Sequence, residues 1–294
     1  MRYSIVIPTY NRPKLCQKLL YSINDALDEF PLKNKVEIII VEDGSKTNLN
    51  FSSKHKIEIL RNKENKGLTF SRNLGIKSAK GKYIIFFDDD IVIPTNYFNI
   101  LDNLIENYPI DILGCRIYCN GKNISSLLFS LYFSLGRKFG AMPGVNLIIK
   151  KTIFNDVSFD ETFPWLEDLN FFYDMINTKY NIYYSKKLHV IHKPVKFKEI
   201  NRRVKLYTNY YFLIKKKKNK RFLDLKNNNI IDLKDDISIK KKLKIPITKI
   251  IKLYIIFFYF YFYFIIKSLI NKDFSFIKII SKIYKQVFRK TFTK

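Results

Sequence analysis

The sequence predicts an α/β protein built on a mostly parallel sheet flanked by helices, and two features lead to this fold class. In the front half, short apolar segments with strand character alternate with helical segments, which is the pattern of β–α–β units. Polar residues directly follow three of the apolar segments. With 294 residues, 47% of them hydrophobic, the chain can form one large or two modest domains with a packed core.

The elements of the front half follow in a regular order. The first strand covers 3–8, and the helix after it covers 12–28, with Leu15, Leu19 and Ile23 on one face and Asn11 as its cap. The other predicted elements are strands at 36–41, 57–60, 82–87 and 110–117 and helices at 68–78 and 98–107.

The chain after residue 115 is less regular. A loop at 140–144, a strand at 145–150, a short helix at 166–175 and extended pieces at 182–184 and 189–191 are predicted there. We therefore expect a globular region at 1–195, divided near residue 115. A basic helical or linker region at 196–245 and an aromatic, basic tail at 246–294 follow.

Charge separates the globular region from the rest of the chain. Residues 1–195 hold 26 Lys and Arg against 20 Asp and Glu, whereas residues 196–294 hold 27 against 6, so most of the net charge of +27 lies behind residue 195. Three cysteines are too few for a disulfide scaffold, and Cys115 and Cys119 have no partner cluster for zinc. The N-terminal apolar run is too short for a signal peptide, so we expect a reduced cytosolic compartment.

Three aspartates stand side by side where a buried strand ends, in the segment YIIFFDDDIVIP at 83–94. Thr9, Tyr10 and Asn11 follow the first strand, and Glu42, Asp43, Gly44 and Ser45 follow the second. In an open α/β sheet, ligands bind in the crevice outside the carboxyl ends of the strands. The three motifs therefore predict one binding site at that edge, although a solvated acidic turn or a helix cap is an alternative for the aspartates.

At this point the sequence resembles the family 2 glycosyltransferases of the GT-A type, whose front half binds a nucleotide sugar. The matching pieces are SIVIPTYNR, VEDGS, NKGLTFSRNLGI, YIIFFDDDIVIP, FDETF and WLEDLNF, followed by an extended segment that ends in His192. Each piece alone is weakly specific, but six pieces in the family's order are strong support for the resemblance. The resemblance covers residues 3–195 and implies an inverting, metal-dependent transferase with a Rossmann-like GT-A domain.

The resemblance implies a donor site at the sheet edge. Asp88 and Asp90 would be the D-x-D pair that shares Mn²⁺ or Mg²⁺ with the diphosphate, with Asp90 on the metal and Asp88 near the ribose or the metal. Asp89 is a further candidate for contact with the nucleotide sugar, although its role stays open. Thr9 and Asp43 would contact ribose and base; an aspartate can accept a uracil N–H, which favours a UDP-sugar. The other implied nucleotide-sugar contacts are Pro8, Tyr10, Asn11, Arg12, Arg72 and Asn73. For Arg72, a surface ion pair is the alternative.

The resemblance also implies the catalytic residues. Asp168, with Glu167 as its neighbour or alternate, would take the proton of the acceptor hydroxyl; dipole complementation at a helix start is the alternative. The chain departs from the family's E-D-x-D-L-x-x-R form with Asn170 and Tyr173, which leaves details of acceptor binding open. His192 would reach the metal or pyrophosphate, or would simply be packed.

Two further features near the acidic pair are candidates for substrate contact. Trp165, the single tryptophan, would stack on a sugar or belong to the core. By the same resemblance, the loop at 142–146 would face the acceptor and the sugar.

The tail has the pattern of a membrane-associating segment. Residues 253–266 hold no charge, but as a helix they would span about 21 Å, short of the roughly 30 Å hydrocarbon core. Behind them, apolar side chains at helical spacing alternate with Lys278, Lys282, Lys285 and Arg289, which favours a basic amphipathic helix on an anionic membrane. Packing onto the globular region or onto a second copy in a homo-oligomer is the alternative. No nucleic-acid motif is present, so we expect no nucleic acid as a partner.

Together these observations predict a peripheral enzyme on the inner face of the cell membrane. It would transfer a hexosyl or N-acetylhexosaminyl group to a glycan or a lipid-linked acceptor of a surface polysaccharide or lipo-oligosaccharide. The alternative, from a different class, is an inactive or accessory nucleotide-sugar-binding protein at the membrane. The intact D-x-D and Glu-Asp pairs favour the enzyme.

Overall fold

The computed structural model describes residues 1–46, 49–121, 126, 129, 142–163, 167–175, 178–196, 198 and 230–233. The helices are α1 (Pro13–Asp28), α2 (Leu68–Ser78), α3 (Tyr97–Asn107) and α4 (Glu167–Asp174), with 3₁₀ turns at Lys33–Lys35 and Lys151–Asn155. The strands are β1 (Tyr3–Thr9), β2 (Val36–Glu42), β3 (Ile57–Arg61), β4 (Tyr83–Phe87), β5 (Ile91–Val92), β6 (Ile112–Cys119), β7 (Asn146–Lys150), β8 (Ile182–His192) and β9 (Ile230–Asp232).

These strands form one mixed sheet in the order β3-β2-β1-β4-β7-β6-β8-β5, with β9 paired to β8. The neighbours β3, β2, β1 and β4 are parallel, as the alternating pattern predicts. The strand β7 lies antiparallel between β4 and β6, and β5 is antiparallel to β8. The sheet is therefore parallel in the front half and mixed beyond it.

The central strands are buried on both faces, which explains why they are continuous apolar runs rather than alternating ones. On β1, Ile5 and Ile7 belong to one hydrophobic cluster and Val6 belongs to another, because successive side chains point to opposite faces. The first cluster includes apolar residues of α1 and α3, and the second includes residues of α2 and α4. Helices therefore cover both faces of the sheet.

Three details of the predicted elements differ from the structure. The two extended pieces predicted at 182–184 and 189–191 are a single strand, β8, whose pairing with β6 shifts register where Lys186 and Lys187 are exposed. Two strands were not predicted: β5, in the apolar run after the aspartates, and β9, which lies in the segment expected to be a helical or linker region and pairs with β8. Asn11 is not the cap of α1: Arg12 holds that position without a side-chain cap bond, and Asn11 adopts a positive φ of 54°.

The basic segment and the tail, 196–294, lie almost wholly outside the described residues, as do Trp165 and residues 140–141. Where helices are described, none is both long and apolar enough to cross a membrane. The predicted arrangement of the tail stays a prediction.

Candidate active site

The parallel order of β2, β1 and β4 places three polar loops beside one another at their carboxyl ends. The loops are 10–12 after β1, 43–45 after β2 and 88–90 after β4. The site predicted from the three motifs is therefore assembled by the sheet. Its contacts fall into two groups of charged residues, one around Asp90 and one around Arg72.

Asp89 and Asp90 face the loop after β1. Thr9 Oγ1 donates a hydrogen bond of 2.7 Å to Asp89 Oδ2, and Arg12 lies 2.8 Å from Asp89 Oδ1 and 3.2 Å from Asp90 Oδ2. Both carboxylates are buried, whereas the Arg12 side chain is 43% exposed. Burial raises the pKa of Asp89 to about 7, against the opposing effects of Arg12 and Thr9. Asp89, whose role was open, thus ties β4 to the loop after β1.

His192 reaches Asp90 because β5 pairs with the end of β8, with Ile91 opposite His192. His192 Nε2 lies 3.3 Å from Asp90 Oδ1, and Lys193 Nζ lies 3.0 Å from Asp90 Oδ2. Burial alone would raise the pKa of Asp90, but His192, Lys193 and Arg12 outweigh it and hold that pKa well below its usual range. Burial opposes protonation of His192, yet its bonds to Asp90 and Cys119 raise its pKa to about 10.

The second group centres on Arg72, which α2 carries into the interior. Its side chain is 2% exposed, so the alternative of a surface ion pair is wrong. Arg72 Nη2 lies 3.0 Å from Asp88 Oδ1, and Nη1 donates to Glu167 Oε1. Burial raises the pKa of Glu167 to about 7, against the lowering effect of Arg72. Arg72 is thus the positive charge between two carboxylates.

Asp168 lies beside this bridge and remains partly exposed. Its Oδ2 accepts the backbone N–H of Gly144 at 3.0 Å, and its Oδ1 accepts the N–H of Leu169 at 2.7 Å. Burial raises the pKa of Asp168, against the effects of Arg72 and of the two backbone bonds. The loop at 142–146 therefore contacts Asp168 through Gly144, while its predicted contact with the acceptor and the sugar stays a prediction.

Asp43 makes other contacts than those expected of a residue that reads the base. Its carboxylate accepts three hydrogen bonds of 2.8–2.9 Å, from Asn62 Nδ2 and the backbone N–H groups of Lys66 and Gly67. The loops are in close contact, since a Cβ on Gly44 would lie 2.2 Å from the Glu64 carbonyl carbon. In this structure Asp43 anchors the loop before α2.

The other predicted nucleotide-sugar contacts lie around the carboxylate groups rather than in them. Pro8 is buried within β1, and Tyr10 is 41% exposed. Asn11 Oδ1 accepts the N–H of Lys46, and Asn73 Nδ2 donates to the Phe159 carbonyl and to Glu161. None of these hydrogen bonds reaches a carboxylate of the two charged groups.

The fit to a divalent cation rests on Asp90 and His192. A carboxylate oxygen and an imidazole nitrogen 3.3 Å apart can both contribute to a cation that also takes water and phosphate oxygens, provided that the cation displaces the proton of His192 Nε2. Asp88, the other predicted ligand, lies against Arg72 instead. Within the described part of the chain, no three His, Cys, Asp or Glu side chains form a group that could hold a metal. The protein thus offers two adjacent donors.

One residue of the site, Lys193, was missed by sequence reasoning, and a second, Gly144, was predicted only as part of the loop at 142–146. Lys193 carries a charge to Asp90, and its one signal was its place next to His192. Gly144 lies against Arg72, where a Cβ would be 2.4 Å from Nη1; a glycine within the predicted loop was the signal for it.

The fold and the site define an α/β domain with ionisable groups at the carboxyl edge of its sheet, as in proteins that bind nucleotides at that edge. Residues 4–163 match the family model described as "Glycosyl transferase family 2". The chain belongs to glycosyl transferase family 2, which confirms the resemblance seen in its motifs.

The alignments with curated relatives cover only part of this chain and of each relative. A dolichol-phosphate mannosyltransferase of Pyrococcus furiosus is 29% identical over 42% of this chain and 35% of its own length. An uncharacterized glycosyltransferase of Rickettsia bellii is 32% identical over 62% of this chain and 28% of its own length. The chain thus spans about a third of the length of these relatives.

Solved structures share the fold at low identity. The structure of S. aureus TarS 1-349 in complex with UDP-GlcNAc has a TM-score of 0.54 at 17% identity, covering 97% of this chain and 92% of that one. The mannosyltransferase PcManGT of Pyrobaculum calidifontis, in complex with GDP-Man and Mn²⁺, has a TM-score of 0.56 at 14% identity, covering 75% and 65%. These similarities show a GT-A-like fold.

The anchoring role of Asp43 is tested by Asp43→Asn in the absence of nucleotide. The amide would present N–H groups to the backbone donors of Lys66 or Gly67, so we expect a loss of about 1–3 kcal/mol in the free energy of unfolding, measured by urea denaturation. Asp25→Asn, at an exposed position of α1, is the charge-matched control and should leave the midpoint unchanged. Equal stability of Asp43→Asn and wild type would contradict the anchor.

Proposed function

We propose that the protein is an inverting, metal-dependent glycosyltransferase that moves a sugar from a UDP-sugar to a hydroxyl of a glycan or lipid-linked acceptor. The observation that carries the proposal is the meeting of two acidic sets at one sheet edge, Asp88–Asp90 after β4 and Glu167–Asp168 at the start of α4. The UDP-GlcNAc complex of TarS and the GDP-Man complex of PcManGT support a nucleotide-sugar donor. The named activity of the P. furiosus relative supports a lipid-linked acceptor.

Asp168 is the better of the two acidic residues for the general base. Glu167 is buried and paired with Arg72, whereas Asp168 is partly exposed and can meet an acceptor. Its raised pKa favours proton uptake over that of an ordinary aspartate. In the proposed step, the acceptor hydroxyl gives its proton to Asp168 while the hydroxyl oxygen forms a bond to the anomeric carbon of the sugar. The bond from that carbon to the diphosphate oxygen breaks, and the nucleoside diphosphate leaves.

The diphosphate would lie at the Asp90 group. A bound Mn²⁺ or Mg²⁺ would neutralise the charge of the leaving group, and Asp90 and His192 are the residues that would hold it. The partly exposed side chains of Arg12 and Lys193 already approach Asp90 and add positive charge at this corner.

The first experiment is a thermal-shift screen of nucleotide sugars with Mn²⁺, followed by transfer assays on a panel of glycan and lipid-linked acceptors. We expect a UDP-sugar to stabilise the protein and to be consumed. UDP-sugar binding without hydrolysis or transfer would support the accessory nucleotide-sugar-binding protein instead. The absence of both binding and transfer would overturn the proposal.

Asp168→Asn tests the base. The amide cannot accept the proton, so transfer should fall by about 10²- to 10⁴-fold while UDP affinity, measured by calorimetry, stays near that of wild type. Asp160→Asn, an exchange of the same type in a surface turn, is the matched control. An Asp168→Asn protein with full activity would exclude Asp168 as the base.

Asp90→Ala tests the metal site. The gain in UDP affinity that Mn²⁺ brings to the wild type should shrink by at least about tenfold, because a ligand of the cation is lost. UDP binding without metal should persist, since Arg12 and Lys193 keep their charges. Asp28→Ala serves as the control at an exposed position. An undiminished response to Mn²⁺ would remove Asp90 from the ligand set.

For the tail we propose attachment to the inner face of the cell membrane, supported by the charge-free run at 253–266 and the basic periodicity behind it. Protein truncated after about residue 240 should no longer sediment with anionic liposomes, whereas the full chain should. The attraction should weaken with salt because it is partly electrostatic. Equal sedimentation of the two proteins would contradict the proposal.

A further inference from the structure

Arg72 joins three segments of the site through one buried guanidinium. It is carried by α2 and lies against the rings of Phe86 and Phe159, with its Cζ 5.8 Å from each ring centroid. The two rings are nearly perpendicular, and their centroids lie 5.5 Å apart. Contact with two rings set at an angle to each other restricts the orientation of a planar cation. The guanidinium therefore has a defined direction in which its N–H groups can bind.

The two terminal nitrogens of Arg72 bind carboxylates from different parts of the chain. Nη2 contacts Asp88 at the end of β4, and Nη1 contacts Glu167 in the first turn of α4. A rigid fork of this kind sets the distance between its two partners, which a flexible lysine could not do. The donor side of the site is thus connected to the acidic pair by one side chain.

Gly144 lies close to the same guanidinium. A Cβ at residue 144 would lie 2.4 Å from Nη1 and 2.8 Å from Cζ of Arg72, so the loop approaches the guanidinium closely. The backbone N–H of the same residue donates to Asp168 Oδ2. The position of Arg72 therefore limits where this loop, and with it one hydrogen bond to Asp168, can lie.

We propose that Arg72 is a positioning residue that sets Glu167 and Asp168 relative to Asp88, and so couples the donor side of the site to the proposed base. The inference rests on the proposed function for its catalytic consequence, but not for its structural one. Arg72 acts through the acidic pair and the Gly144 loop and needs no contact with the substrate. Loss of the bridge should displace Asp168 and thereby lower kcat, whereas the affinity for the nucleotide should change little.

The experiment compares Arg72→Met, Gly144→Ala and the wild type. Arg72→Met removes the bridge, and Gly144→Ala displaces the guanidinium while all charges remain. Lys77→Met, on the exposed side of the same helix, is the matched control. We expect kcat for transfer to fall about 10²-fold in both test variants, with UDP affinity within about threefold of wild type. Melting curves show whether each variant is folded, and Gly144→Ala carries the test if Arg72→Met is not.

Two further measurements separate positioning from a purely structural ion pair. Glu167→Gln weakens the same bridge, so its effect on kcat should be far from additive with that of Arg72→Met. Hydrogen exchange needs no activity: peptides covering 142–150 and 167–175 should exchange faster in Arg72→Met and Gly144→Ala than in Lys77→Met. The first peptide contains the Gly144 N–H that bonds to Asp168.

The outcomes distinguish this inference from the proposed function. Unchanged exchange in both peptides overturns the positioning role, whether or not the protein transfers sugar. A loss of UDP affinity as large as the loss of kcat would make Arg72 a donor-binding residue instead. If the wild type neither binds UDP nor transfers sugar, the proposed function fails, and faster exchange in the variants still supports the role of Arg72 in placing the acidic pair.

Discussion

The site depends on the compensation of carboxylates that the sheet brings to one edge. A buried strand delivers Asp88, Asp89 and Asp90, and the start of α4 adds Glu167 and Asp168. Carboxylates that lie so near one another repel each other, and burial removes the water that would otherwise solvate them. They therefore need positive charge nearby. Arg12, Arg72, His192 and Lys193 provide that charge from three separate places in the chain. The positions of these cations decide which carboxylates are held and which are available to a ligand.

The compensation is divided unequally between two groups, and this division gives the acidic residues different properties. Asp90 lies among Arg12, His192 and Lys193, which hold its pKa well below the usual range. Asp168 lies beside Arg72, and burial raises its pKa above that of an ordinary aspartate. A low pKa suits a ligand of a cation, and a raised pKa suits a group that exchanges protons. One sheet edge can thus support both leaving-group binding and base catalysis, as the proposed function requires.

Most of the fold was accessible to sequence reasoning, because the pattern of apolar residues is a local property. The strands β1, β2 and β4 and the helices α1 and α2 appear close to where the alternation predicts them. The antiparallel strand β7 was predicted as a strand, but its direction and neighbours were not, since they follow from pairings far apart in sequence. The prediction of a break inside β8 is wrong for a related reason: pairing with β6 continues the strand past two exposed lysines.

By itself, the sequence determined the order of the front elements, the place of the acidic residues at strand and helix ends, and the family. Only the tertiary structure decided the partner of each charge. Asp43 anchors a loop through three hydrogen bonds, Asp89 binds Thr9 and Arg12, and Arg72 is buried between Asp88 and Glu167. Spacing along the chain shows which residues directly follow the same strand. The direction in which each side chain points is set by burial and by charges that arrive from distant segments, so it cannot be obtained from local pattern alone.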